Sequence, residues 1–175
     1  MNTPTSFQTV VKYFERKGWS FQMEPGRPLL QAVFRGQNAN FRCAAFVDDT
    51  DDLVQVVTFM PVVVPAEKLA GAAELCVRLS NALKMGRFEL DYDSGAVRFH
   101  TSSAFPKEDL KEEVFQRVLG VNLVMVDLHL AAFIRVIYGG VAPARAASQL
   151  RPGLRARRGM IPQSQVQIPF RLTFN

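Results

Sequence analysis

Four aspartates around one threonine (Asp48, Asp49, Thr50, Asp51, Asp52), two histidines and two cysteines are the residues of this chain whose types could do chemistry. Hard cations want several carboxylates, so the aspartate cluster is the first candidate. It lacks the D-x-D-x-D-G spacing and distal glutamate of a calcium loop, and it reads as a solvated turn between strands. Neither His100 nor His129 has a histidine or cysteine within a short metal-ligand spacing. His100 falls on the polar phase of a strand and is expected to be exposed. Nucleophilic catalysis needs a serine or cysteine beside a histidine that an acid orients. The sequence holds no G-x-S-x-G, no phosphate-cradling glycine loop and no H-E-x-x-H. No catalytic residue, metal ligand or cofactor site is therefore assigned, and the chain is expected not to be an enzyme.

Cys43 and Cys76 lie in apolar surroundings, which predicts free buried thiols and fits a reducing, cytoplasmic setting. The first residues lack the basic-then-apolar pattern of a signal peptide. No uninterrupted apolar run approaches the ~20 residues of a membrane span. The longest apolar stretch, Val118 to Ile137, is broken by Gly120, Asn122, Asp127, His129 and Arg135. A chain of 175 residues is long enough for one domain with a real core. The net charge of +5 is not spread evenly: no acid follows Asp127, while six arginines lie between Gly140 and Asn175. The first 139 residues hold 15 Lys and Arg against 16 Asp and Glu, so the body is neutral and the tail is basic.

The elements follow from periodicity. Phe7, Val10, Val11 and Phe14 repeat at helical spacing after a Thr3-Pro4 start, and Gly18 can end that helix. Trp19, Phe21 and Met23 alternate with polar residues as in a half-buried strand. Residues 30–35 and 40–47 form a hairpin about Gly36-Gln37-Asn38, and Leu53 to Met60 is strongly β-prone. Leu69, Ala72, Ala73, Cys76, Leu79 and Leu83 mark the apolar face of a second helix, closed by Gly86. Phe88, Leu90 and Tyr92, the turn Asp93-Ser94-Gly95, then Val97, Phe99 and Thr101 read as a second hairpin. A third helical region runs from Pro106 to Tyr138, with room for a bend at Gly120. It is apolar almost all round from Val118, so it must be covered on more than one side, by the chain's own core or across a homodimer seam. The order α-β-β-β-β-α-β-β-α predicts an α+β fold with an antiparallel sheet flanked by helices.

Two further segments could bind. Arg151, Arg155, Arg157 and Arg158 could touch phosphates or another anionic partner, but no aromatic residues are interleaved for base stacking. Val166, Ile168, Phe170, Leu172 and Phe174 alternate strictly with Gln167, Pro169, Arg171 and Thr173. That is an amphipathic strand, and Pro169 restricts it to a sheet edge. It is expected to pair with an edge of its own sheet or a partner's, by strand addition. The organisation expected is a domain over residues 1–142 and a basic linker with a strand-like tail over 143–175.

The D-x-x-S-G hairpin, the strand after it, the long apolar helix with Asn122 and the closing Ile137-Tyr138-Gly139-Gly140 resemble the C-terminal half of YbjN-domain proteins. These form a bacterial group labelled sensory transduction regulators. With the N-terminal order of helix then strands, the resemblance covers about residues 5–142. It implies a fold like that of type III secretion chaperones, often dimeric, binding other proteins without enzymatic activity. It supplies no catalytic residue and does not reach the tail. Such chaperones are generally acidic, whereas this body is near neutral. The expectation is a non-enzymatic protein-binding module, chaperone-like or regulatory, with a homodimer anticipated, no membrane contact and no cofactor. A nucleic-acid-associated regulator working through the arginine tail is the alternative.

Overall fold

A computed structural model describes residues 6–107 and 109–149 of the chain. Six strands form one antiparallel sheet in the order β1-β2-β3-β4-β6-β5, and four helices accompany it. The strands are β1 (Gln22–Met23), β2 (Leu29–Arg35), β3 (Asn40–Asp48), β4 (Leu53–Val63), β5 (Arg87–Leu90) and β6 (Ala96–Ala104). The helices are α1 (Ser6–Arg16), α2 (Leu69–Ser80), α3 (Glu112–Ile137) and α4 (Pro143–Ser148). The α+β architecture read from the periodicities is therefore the one observed.

Along β4 and β6 buried residues alternate with half-buried or exposed ones, as a sheet covered on one face requires. The covered face carries Ala32, Phe34, Cys43, Ala45, Val54, Val56, Val97 and Phe99. Two apolar clusters lie above it. One joins α1, the first half of α3 and strands β2 to β4; the other joins α2, the second half of α3 and strands β4 to β6. In the first, Phe14, Trp19 and Phe34 meet edge to face, with Trp19 and Phe34 centroids 5.0 Å apart.

α3 spans both clusters. By length and composition it could cross a membrane, with a mean hydropathy of 1.7 over its most apolar window. Its packing places it in the protein core instead. Of the four polar residues inside its apolar run, Arg135 is exposed, while Asn122, Asp127 and His129 are buried and each is bonded to backbone. Asn122 Nδ2 donates to the carbonyls of Val56 (2.8 Å) and Phe99 (3.0 Å). Asp127 accepts from the backbone N–H groups of Gln37 (3.0 Å) and Asn38 (2.9 Å). His129 Nδ1 lies 2.7 Å from the Met125 carbonyl, to which it donates. These bonds tie α3 to β4, β6 and the β2–β3 turn. Gly36 in that turn is needed for close approach, since a Cβ there would come within 2.6 Å of Asp127 Oδ1.

Several expectations need correction. α3 begins at Glu112 rather than Pro106, because Pro106 opens a separate turn (Asp109 N–H to Pro106 C=O, 2.9 Å) and Leu110 is an anchor in the first cluster. The helix runs unbroken through Gly120. Trp19 and Phe21 pack against the core without being strand residues, and β1 is only Gln22–Met23, with Met23 exposed. Tyr92 lies in the β5–β6 turn and is exposed. The start of the expected linker, residues 143–148, forms α4, whose Ala146 is buried in the second cluster. Gly18 takes positive φ just past α1 and Gly95 takes it in the β5–β6 turn, whereas α2 ends at Ser80, so Leu83 and Gly86, read as part of that helix and its stop, lie beyond it.

A candidate binding face on the sheet

The face of the sheet turned away from the helices is where functional side chains collect. Antiparallel register aligns them in rows. One row runs Leu29, Phe46, Gln55 and Ser102; the next runs Gln31, Ala44, Val57, His100 and Arg87; the third runs Val33, Arg42, Phe59, Arg98 and Glu89. The middle strands thus present apolar groups and the β5–β6 side presents charges. Ala44 is the smallest residue in the middle row, and the dip above it becomes a cavity of about 300 Å³. Leu29, Ala44, Phe46 and Val57 supply its apolar part, while Arg27, Gln55, Glu89, Arg98 and His100 supply the polar part. Ala44 and Leu29 are each only 3% exposed, although among the described residues no helix packs against them.

The charged wall is organised by one carboxylate. Glu89 Oε2 lies 2.6 Å from Arg98 Nε, and Oε1 lies 2.8 Å from Arg87 Nε and 3.2 Å from His100 Nδ1. The bond from His100, followed by that from Arg98, outweighs partial burial and holds the Glu89 carboxyl down at about 2. His100 Nδ1 also lies 3.0 Å from Arg87 Nη2. A guanidinium only donates and a carboxylate only accepts, so Nδ1 can serve one of them at a time. The expectation that His100 is exposed is overturned: its side chain is 14% exposed, because Arg87, Arg98 and Glu89 fold over it. On the opposite wall Arg27 is exposed and forms no ion pair among the described residues.

A histidine beside an acid in a cavity invites a catalytic reading. The described lining residues, however, carry no hydroxyl or thiol to serve as nucleophile, and both oxygens of Glu89 are already engaged by guanidinium groups. His129 stands elsewhere, against Phe88, and burial lowers its pKa, so it acts as a neutral core residue. Cys43 and Cys76 are free and buried, and burial pushes both thiols up to about 12. The aspartate cluster is the β3–β4 turn: Asp48 Oδ1 accepts from the N–H of Thr50 (2.9 Å) and of Asp51 (3.2 Å). No group of three potential metal ligands occurs among the described residues.

The residues singled out in the tail (Arg151, Arg155, Arg157, Arg158, Val166, Ile168, Phe170, Leu172 and Phe174) lie outside the described residues. The sheet-face residues were not anticipated as a group. Their alternation was visible, but the adjacency of β4 and β6, which sets Val57 beside His100, is not a property of local sequence.

The YbjN family model, described as "Putative bacterial sensory transduction regulator", matches residues 6–135. No curated protein matches the chain. A chain in the crystal structure of the ExsC–ExsE complex is similar at 13% identity with a TM-score of 0.49, covering 71% of this chain and 90% of that one.

Proposed function

The chain belongs to the YbjN family, and from that premise we propose that it is a non-enzymatic protein-binding module, regulatory or chaperone-like, that holds a partner chain on the helix-free face of its sheet. One observation carries this reading. The middle of that face is a hollow with an apolar floor of Leu29, Ala44, Phe46 and Val57, set side by side by the register of β2, β3 and β4, with no nucleophile among its described residues. Concave apolar surface with a few placed polar groups is the usual form of a binding site, and a broad sheet face suits a polypeptide. The family's description as a regulator accords with binding as the activity.

Two finer statements belong to the same proposal. A homodimer would use the exposed end where Ile134 and Tyr138 of α3 stand near Val63 of β4, whose carbonyl accepts from the Tyr138 hydroxyl at 3.3 Å. The cytoplasm is the expected compartment, on the evidence of two free buried thiols.

Site-directed photo-crosslinking in the native cell tests the reading. A photoreactive residue at Phe46 should capture a defined protein, whereas the same probe at Lys12, on the outer side of α1, should not. Equal capture from both positions, or none from Phe46, overturns it.

A further inference from the structure

The binding face is asymmetric in charge, and this bears on which partner it fits. On its β5–β6 side Glu89 is the one carboxylate among the described residues that line the hollow, and it is shared among Arg87, Arg98 and His100. Two guanidinium groups therefore divide one negative charge. Across the floor Arg27 brings a further cation with no ion pair among the described residues. Beyond the hollow, Arg42 lies over the ring of Phe59 at 5.7 Å and likewise makes no ion pair among the described residues. The rim is thus cationic and the floor apolar.

We propose that this hollow takes an acidic, amphipathic stretch of partner polypeptide, with apolar side chains on Ala44, Phe46 and Val57 and carboxylates facing Arg27 and Arg98. The inference rests on the protein-binding reading and adds the chemistry of the partner. Charge complementarity selects it over the alternatives. A nucleic acid would match the rim but leave Leu29, Ala44, Phe46 and Val57 facing a charged backbone. The chain's own last 36 residues are excluded by sign, since they hold six arginines and no acid. An acidic segment satisfies rim and floor together, and two arginines offer the planar forks that match carboxylate geometry.

The test uses the full chain and three labelled probes: a peptide alternating leucine with glutamate, one alternating leucine with lysine, and a single-stranded oligonucleotide. Fluorescence anisotropy should show binding of the glutamate peptide, weakening as salt rises through the physiological range. The lysine peptide should bind at least about tenfold more weakly. Arg27→Glu, at an exposed turn position where folding is undisturbed, should lower affinity for the glutamate peptide by about tenfold. Val57→Glu should abolish it, with circular dichroism confirming the fold. Equal binding of the two peptides, indifference to Arg27→Glu, or preference for the oligonucleotide would each overturn the inference. Should a photoreactive residue at Phe46 capture a partner while the peptides bind alike, the charge argument fails and the protein-binding reading stands. Should Phe46 capture nothing while the glutamate peptide binds as stated, the reverse holds.

Discussion

Removing the carboxylate of Asp127 should loosen the hairpin that carries half of the binding hollow. Asp127 sits on α3 and is 9% exposed. Its two oxygens take the backbone N–H groups of Gln37 and Asn38 at 3.0 and 2.9 Å, and Oδ1 also takes Asn38 Nδ2 at 3.2 Å. Hydrogen bonds to a charged acceptor contribute about 1.5–3 kcal/mol each when shielded, and this site is only partly shielded. Taking the low end for the two backbone bonds, Asp127→Ala costs about 3 kcal/mol, a fall in Tm of about 6–12 °C for a chain of this size. Asp127→Asn keeps the shape but turns an NH2 group toward one N–H, and should cost about 2 kcal/mol. Gly36→Ala acts on the same contact from the other side, since its Cβ would stand 2.6 Å from both Asp127 Oδ1 and Phe41 Cε2. Thermal melts measure the total. Hydrogen exchange at Gln37 and Asn38 supplies the local signature, because those amides should lose protection before the β4–β6 ladder does. An Asp127→Asn protein that melts within about 1 °C of the parent would refute the account, as would a destabilised Asp127→Ala protein whose Gln37 and Asn38 amides stay protected.

Three other outcomes follow from named contacts. Glu89 is held at about 2 from an ordinary value of 4.5, so its contribution is complete above that ordinary value and is lost as pH falls toward 2. Full linkage would be about 3 kcal/mol; solvent screening at this half-buried site reduces it to about 1 kcal/mol, a loss that urea titrations across that window should show in the parent and not in Glu89→Gln. Asn122→Ala removes the donors to the buried Val56 and Phe99 carbonyls and should cost about 2–3 kcal/mol; Asn122→Asp should be worse, since it sets a carboxylate against those oxygens. Deleting residues 160–175 should lower thermal stability or change the oligomeric state seen by sedimentation, because Val166, Ile168, Phe170, Leu172 and Phe174 are proposed to add a strand to a sheet edge; no change in either would sink that idea.

Local pattern made the strands legible. Strong β-propensity over Leu53 to Met60 and period-two alternation over Val97 to Thr101 identified strands that the structure contains, in which Val54, Val56, Val97 and Phe99 are buried. Boundaries were less legible where an apolar residue has a use outside an element. Leu110 fits helical spacing but anchors a turn, and Trp19 fits strand spacing but packs edge-on to Phe34. On α2 the expected face was displaced: Leu75 is fully buried, while Ala73 is only half-buried. The binding face was illegible for a different reason. No local pattern joins its apolar and charged residues, and only cross-strand register makes neighbours of Ala44, Val57 and His100.

The near-neutral body shows how that loss of information misleads. With 15 basic and 16 acidic residues before Gly140, composition pointed all binding electrostatics toward the tail. A net charge averages over the surface, while a partner meets one face within a Debye length of about 8–10 Å. Acids of this body are spent on turns and helix starts: Asp48 caps the β3–β4 turn, Asp91 caps the β5–β6 turn, and Glu112 and Glu113 open α3. Arg42 and Arg98 stand instead on strands, where register sets them in one row with Phe59 between them, and Arg27, in the turn before β2, lines the same hollow as Arg98. A neutral chain can therefore present a cationic, apolar-floored face, and the sign of that face, rather than of the whole chain, decides which partners it can hold.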